Sequence, residues 1–206
     1  MKVKVVGMVA VLGLVFSCAA KKPIGTQTLI QKKGECGDWI YSIPKTKDGI
    51  AYFRGAKTGA VSEEGGLNDA RMHAAQQVAE MVKTEANVDY ERARVEYGIP
   101  KDDKDIGSVV RDAFIALSDA IVQGVKEVKS CVEKYEEITH EGVRYFFNVY
   151  TLVSISEDDY KRIAARVFEK EMEKARAMKN EKAEKFLDKM REEVQQRRMF
   201  KEEEIE

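Results

Sequence analysis

Histidine, cysteine, proline and tryptophan are scarce in this chain, at 2, 3, 3 and 1 of 206 residues. The two histidines, His73 and His140, fall on different expected elements, and neither Cys-x-x-Cys nor His-Glu-x-x-His occurs. A structural zinc site needs clustered ligands, so no metal is expected. There is no Gly-x-Ser-x-Gly elbow, no phosphate-binding P-loop and no Gly-x-Gly-x-x-Gly turn. A serine or cysteine nucleophile needs a base within hydrogen-bond reach; Cys131 or a serine with His140 stays open in space, but no sequence motif marks such a pair. Acidic residues are so common that no pair stands out for glycan hydrolysis. Glu63, Glu64 and Asp69 read more simply as partners of a helix N-terminus. No catalytic residue and no cofactor are expected.

An excess of one charge is also missing. With 35 basic and 36 acidic residues the formal charge is −1, which becomes −3 once Lys2 and Lys4 are removed. No basic field is present to favour nucleic acid. Nor is there a long apolar run. The one from Val5 to Phe16 has 12 residues, roughly 18 Å as a helix. A membrane-spanning helix needs about 20 residues.

That short run has a different meaning. Lys2 and Lys4 precede it and Ser17-Cys18 ends it, the layout of a secretory signal peptide. Val15-Phe16-Ser17-Cys18 fits a lipobox: aliphatic, variable, small, cysteine. Residues 1–17 are read as the signal, and Cys18 as the acceptor of a diacylglycerol, with a palmitate-type chain on its new amino group. One acyl chain binds a membrane only marginally, whereas two or more anchor it. Ala19 follows the cysteine, which favours the outer membrane and a location facing the periplasm or surface. An ordinary signal peptide with an incidental cysteine is the alternative.

Cleavage before Cys18 leaves Cys36 and Cys131 as the remaining thiols. An oxidising compartment lets them pair. Two unrelated reduced thiols are the other reading, because sequence spacing does not decide geometry.

Residues 18–37 read as a lipidated cysteine and flexible tether, polar and broken by Pro23, Gly25 and Gly34. Residues 38–156 form the domain. Trp39-Ile40-Tyr41 and Ile50 to Gly55 suggest two short strands around a turn. Leu67, Ala70, Ala74, Val78, Met81 and Val82 recur at helical spacing. Ser62 or Asn68 can cap that helix, and Gly98 and Pro100 stop it near Tyr97. Val109, Val110, Ala113, Leu117, Ile121 and Val125 mark a second helix. Val128 to Ile138 and Val143 to Val153 read as strands joined by the turn His140-Glu141-Gly142. The fold class is α+β: a small antiparallel sheet packed against two helices, followed by a long charged C-terminal helix.

That last helix is expected over residues 157–206, with Ser156 and Asp159 at its start. Of these 50 residues 29 are charged. Pairs such as Glu157-Lys161 and Glu181-Lys185 are spaced i,i+4 and support a helix. Phe168, Met172, Ala175, Ala183, Phe186, Met190 and Val194 form a thin apolar stripe. A continuous helix to Phe200 would be ~65 Å long. Such an arm would project, engage a partner, pair with a second copy or fray, although sustained coiled-coil heptads are absent.

Tyr145, Phe146, Phe147 and Tyr150 put bulk on both faces of one strand. The plain reading is a strand packed on one or both faces. The sharper one makes Phe146 and Tyr150, with Phe186 and Met190 of the final helix, contacts for a protein partner.

The order of these features resembles the LPP-twenty family of bacterial lipoproteins, whose domain also occurs in a flagellar assembly protein. The resemblance covers roughly Asp38 to Tyr160. It is carried by Trp39, by Tyr52-Phe53-Arg54-Gly55-Ala56, by Leu67-Asn68-Asp69-Ala70-Arg71 with Ala74-Ala75, and by the strand Tyr145 to Val153. The linker around Pro100 and the charged C-terminal segment depart from the pattern. The resemblance implies an α+β, non-enzymatic envelope module and hands over no catalytic residue.

The expectation is a lipid-anchored envelope lipoprotein that acts as an assembly or interaction module. Its partners would be the membrane, through its lipid, and other envelope proteins, with a homo-oligomer through the final helix. The rival is a periplasmic enzyme or regulator acting on peptidoglycan or a small ligand, with Arg71, His73 and His140 as its polar members. The rival requires a deep pocket with converging polar groups.

Overall fold

The charged C-terminal segment turns back on itself and completes the core. In the computed structural model, residues 22–96, 104–198 and 200 are described. The signal segment and Cys18 lie outside the described residues.

The elements are β1 (Gln27–Gly34), a 3-10 turn (Asp38–Ile40), β2 (Ile50–Ala60), α1 (Glu63–Glu96) and α2 (Lys104–Gly124). They continue with β3 (Lys126–Thr139), β4 (Gly142–Ser156), α3 (Glu157–Ala177) and α4 (Glu181–Gln196). The four strands form one antiparallel sheet in the order β1-β3-β4-β2. The fold is α+β, with β3 and β4 central.

β4 shows why. Its residues alternate between faces. Val153 and Ile155 join Ala74, Val78 and Val82 of α1 in the main core, and Val149 meets Ala70. Phe146, Tyr150 and Leu152 point to the opposite, outer face of the sheet. α1 lies across β2 and β4, and Gly55 makes this close approach possible. A Cβ at Gly55 would stand 1.7 Å from the carbonyl oxygen of Ala70. Ser62 starts α1 by accepting from the Gly65 amide at 3.1 Å, so Asn68 sits inside the helix. Ser156 caps α3 by accepting from the Asp159 amide, also at 3.1 Å.

Three expectations are corrected. Gln27–Gly34, assigned to the tether, is an edge strand on β3. Its side chains are almost all exposed, so no apolar pattern announces it. Backbone pairing and cross-strand contacts such as Gln27–Glu137 hold it.

Trp39-Ile40-Tyr41 is not a strand. The amides of Tyr41 and Ser42 both donate to the carbonyl of Asp38 at 2.9 Å. This tight turn sets Trp39 and Ile40 on the outer face of the sheet, against Cys131 and Leu152. Arg54 Nη1 donates to the Ile40 carbonyl and ties the turn to β2.

The single projecting C-terminal helix is two helices. Lys179 adopts a left-handed φ of 56°, and Asn180 restarts the chain by accepting from the Ala183 amide at 3.0 Å. α4 then folds back on α3. The apolar stripe covers the core: Phe168, Met172, Phe186, Leu187 and Met190 are all buried. Satisfying that stripe within the chain removes the reason for a projecting arm. Two helices were expected against the sheet. Instead, α2, α3 and α4 build the core outward from α1.

Candidate functional site

The outer face of the sheet gathers what the helices leave uncovered. It presents Leu29 and Lys32 from β1, Glu133, Tyr135 and Glu137 from β3, Phe146 and Tyr150 from β4, and Tyr52 and Arg54 from β2. Among the described residues, the turn that carries Trp39 and Ile40 lies over it. Beside that turn Tyr41 is 80 % exposed.

Glu133 is the electrostatic centre of this face. It is a carboxylate only 4 % exposed, and a buried charge must be paired. Lys32 Nζ lies 2.8 Å from Oε1, and the Tyr135 hydroxyl donates to Oε2 at 3.0 Å. Burial, followed by the hydrogen bond to Glu133 and its negative charge, pushes the Tyr135 phenol up to about 12. Burial and the Glu133 charge raise Tyr150 as well. The hydrogen bond and charge of Glu133 raise Lys32. Tyr135 stacks on Phe146 with ring centroids 5.3 Å apart and planes 8° from parallel. At the strand ends, Gln27 and Arg144 both donate to Glu137 and hold its carboxyl below the usual range.

Chemically this face can bind through aromatic surface and a few fixed polar groups. Glu133 is occupied by Lys32 and Tyr135, and among the described residues no second carboxylate is paired with it for acid–base work. Among the described residues, no group of three or more His, Cys, Asp or Glu side chains is placed to hold a metal. No described helix is long and apolar enough to cross a membrane.

No family model, curated protein or solved structure matches the chain.

Phe146 and Tyr150 share the outer face, Phe146 largely buried by its stack and Tyr150 half-buried. Phe186 and Met190 are 1 % and 0 % exposed. They form part of the core, and as partner contacts they are corrected. Cys36 and Cys131 are joined by a disulfide, which pins the chain after β1 to the centre of β3. His73 bonds the Ala56 carbonyl through Nδ1 at 3.0 Å on α1, while His140 sits in the exposed β3–β4 turn. Among the described residues, no hydrogen bond or ion pair joins Arg71, His73 and His140. Clefts of about 660 and 390 Å³ open beside the α3–α4 turn and beside Gly49, and none of these three residues lines either.

Sequence reasoning missed Lys32, Glu133 and Tyr41. Lys32 lay in the supposed tether, and Glu133 is one of many acids. Its burial arises only when β1 pairs with β3.

Proposed function

We propose that this protein is a lipid-anchored bacterial envelope lipoprotein that works without catalysis, as an assembly or scaffolding module. The observation that carries the reading is Val15-Phe16-Ser17-Cys18 placed behind a basic, then apolar, N-terminal segment. The Cys36–Cys131 disulfide supports it, because such bonds persist in oxidising compartments. Ala19 favours the outer membrane. The likeness to the LPP-twenty lipoproteins supports an envelope role of the same kind.

The partner surface in this reading is the outer face of the sheet, not the C-terminal helices. Tyr41 stands free there beside Tyr150 and the Tyr135–Phe146 stack. Aromatic side chains with a polar tip are favoured at protein interfaces.

Two measurements test the reading. Mass spectrometry of the cell-made chain is expected to find the thioether lipid on Cys18 and residues 1–17 removed. A bare thiol or a retained leader overturns the anchor. Photo-cross-linkers at positions 41 and 150 in intact cells are expected to capture envelope proteins, with none captured from Ile115 on α2. Adducts with lipid alone overturn the scaffolding role.

A further inference from the structure

We infer that one end of the sheet rests on the lipid headgroup layer and sets the angle at which the domain stands on its membrane. This rests on the anchor reading above and deepens it.

Large apolar side chains cluster at that end. Ile24 is 58 % exposed, Val143 53 %, Tyr145 51 % and Ile30 45 %. Hydrogen bonds place Ile24 beside Val143 and Tyr145, and Ile30 follows along β1 at its irregularity between Leu29 and Gln31. The Gly25 amide donates to the Ile138 carbonyl at 2.7 Å, and the Ile138 amide to the Thr26 carbonyl at 3.1 Å. Ile138 in turn faces Val143, and Glu136 faces Tyr145. The helix layer stops short of this end, since Leu67 of α1 reaches Phe147. Val143 and Tyr145 are left without cover from this layer.

The occupant follows from where the chain arrives. Cys18 precedes Ile24 by six residues, which span at most about 20 Å when fully extended. Acyl chains on Cys18 therefore keep this end of the sheet close to the bilayer. Such a short link gives a high effective concentration, so a weak apolar contact suffices.

The polar groups at this end suit an interface. Lys134 Nζ sits 4.9 Å from the Tyr145 ring centroid. Tyrosine with a snorkelling lysine is the pairing found at headgroup depth. The acids Glu136, Glu137 and Glu141 balance the nearby Lys22, Lys134 and Arg144, so anionic lipid is not required. Seated this way, the outer sheet face stands clear of the bilayer and open to a partner.

The test couples the chain from residue 18 onward, which keeps every described element, to vesicles through Cys18. The Cys36–Cys131 disulfide leaves that thiol as the one free to react with a maleimide-headgroup lipid. The vesicles contain phosphatidylethanolamine and phosphatidylglycerol with brominated acyl chains. Tyr145→Trp is compared with Ile115→Trp on exposed α2, with the unsubstituted chain and its buried Trp39 as blank. The Tyr145→Trp emission is expected to shift to the blue and lose intensity, without change on adding salt. The Ile115→Trp emission is expected to stay as in solution. Equal, unquenched emission from both overturns docking. Loss at both positions overturns the tilt, because the domain would then lie flat. Chemical coupling replaces acylation by the cell, so failure here leaves the Cys18 reading standing. A bare Cys18 in the cell-made chain leaves this measurement untouched.

Discussion

Tyr90 on α1 meets Phe186 on α4 edge to face, with ring centroids 5.8 Å apart. The contact joins residues nearly a hundred positions apart, and it shows where the charged C-terminal segment belongs. Phe186→Ala removes this contact and opens a cavity at a fully buried site. It is expected to cost about 3–5 kcal/mol, read from the midpoint of urea unfolding. A cost below ~1 kcal/mol would mean that α4 is a detachable arm.

Gly55 and Ala70 test the seating of α1 on the sheet. In Gly55→Ala the new methyl would meet the Ala70 carbonyl oxygen at 1.7 Å and the Ala74 amide nitrogen at 2.7 Å. Backbone cannot step aside as a flexible side chain can, so α1 must lift. Overpacking of this kind costs about 1–3 kcal/mol or more. Thermal unfolding followed by circular dichroism is the measurement, and an unchanged midpoint would contradict the close approach.

The disulfide closes a loop between residues 95 positions apart. On the chain-entropy account a loop of that size stabilises by about 4–5 kcal/mol. The double variant Cys36→Ser, Cys131→Ser is expected to lose stability on that scale and to gain nothing from an oxidant. Peptide mapping without reductant should recover the two cysteines in one linked fragment.

Tyr135 makes stability fall at alkaline pH. Its phenol is raised from the ordinary 10.0 to about 12 in the fold. Above pH 10 the unfolded chain gives up this proton while the folded chain keeps it, so stability declines. The contribution is complete below pH 10 and lost as pH rises through 12. Lys32, also raised, adds a loss of the same sign. Tyr135→Phe should flatten part of the decline in unfolding free energy measured across this window. An unchanged slope would show that the hydrogen bond to Glu133 does not persist in solution.

Much of this architecture is legible locally. β4 alternates because each of its faces packs against something different. Ser156 and Asp159 sit three apart as a helix start requires, and Gly142 ends a two-residue turn. The remainder depends on distant partners. β1 has almost no buried side chain, and its strand form comes from β3, about a hundred residues later. The break at Lys179 is hidden because neither glycine nor proline marks it. Asn180 was the visible clue, a residue that both ends and begins helices. Reading past it turned two amphipathic helices into one arm and two core residues, Phe186 and Met190, into contacts for a partner. Of the outer face, Phe146 and Tyr150 were visible from the aromatic run in β4. Glu133 was not, since its neighbour Lys32 comes from a strand the residue pattern does not announce.

The position of Cys36 also has a mechanical meaning. A pull on the N-terminal end of the chain runs along β1 and loads its hydrogen bonds to β3 in shear, all at once and not one by one. Two residues beyond that strand the load reaches a covalent bond to Cys131, in the middle of the sheet. Traction on the leading end is thus passed to the heart of the molecule, and an edge strand pulled off β3 stays tied to it at its far end.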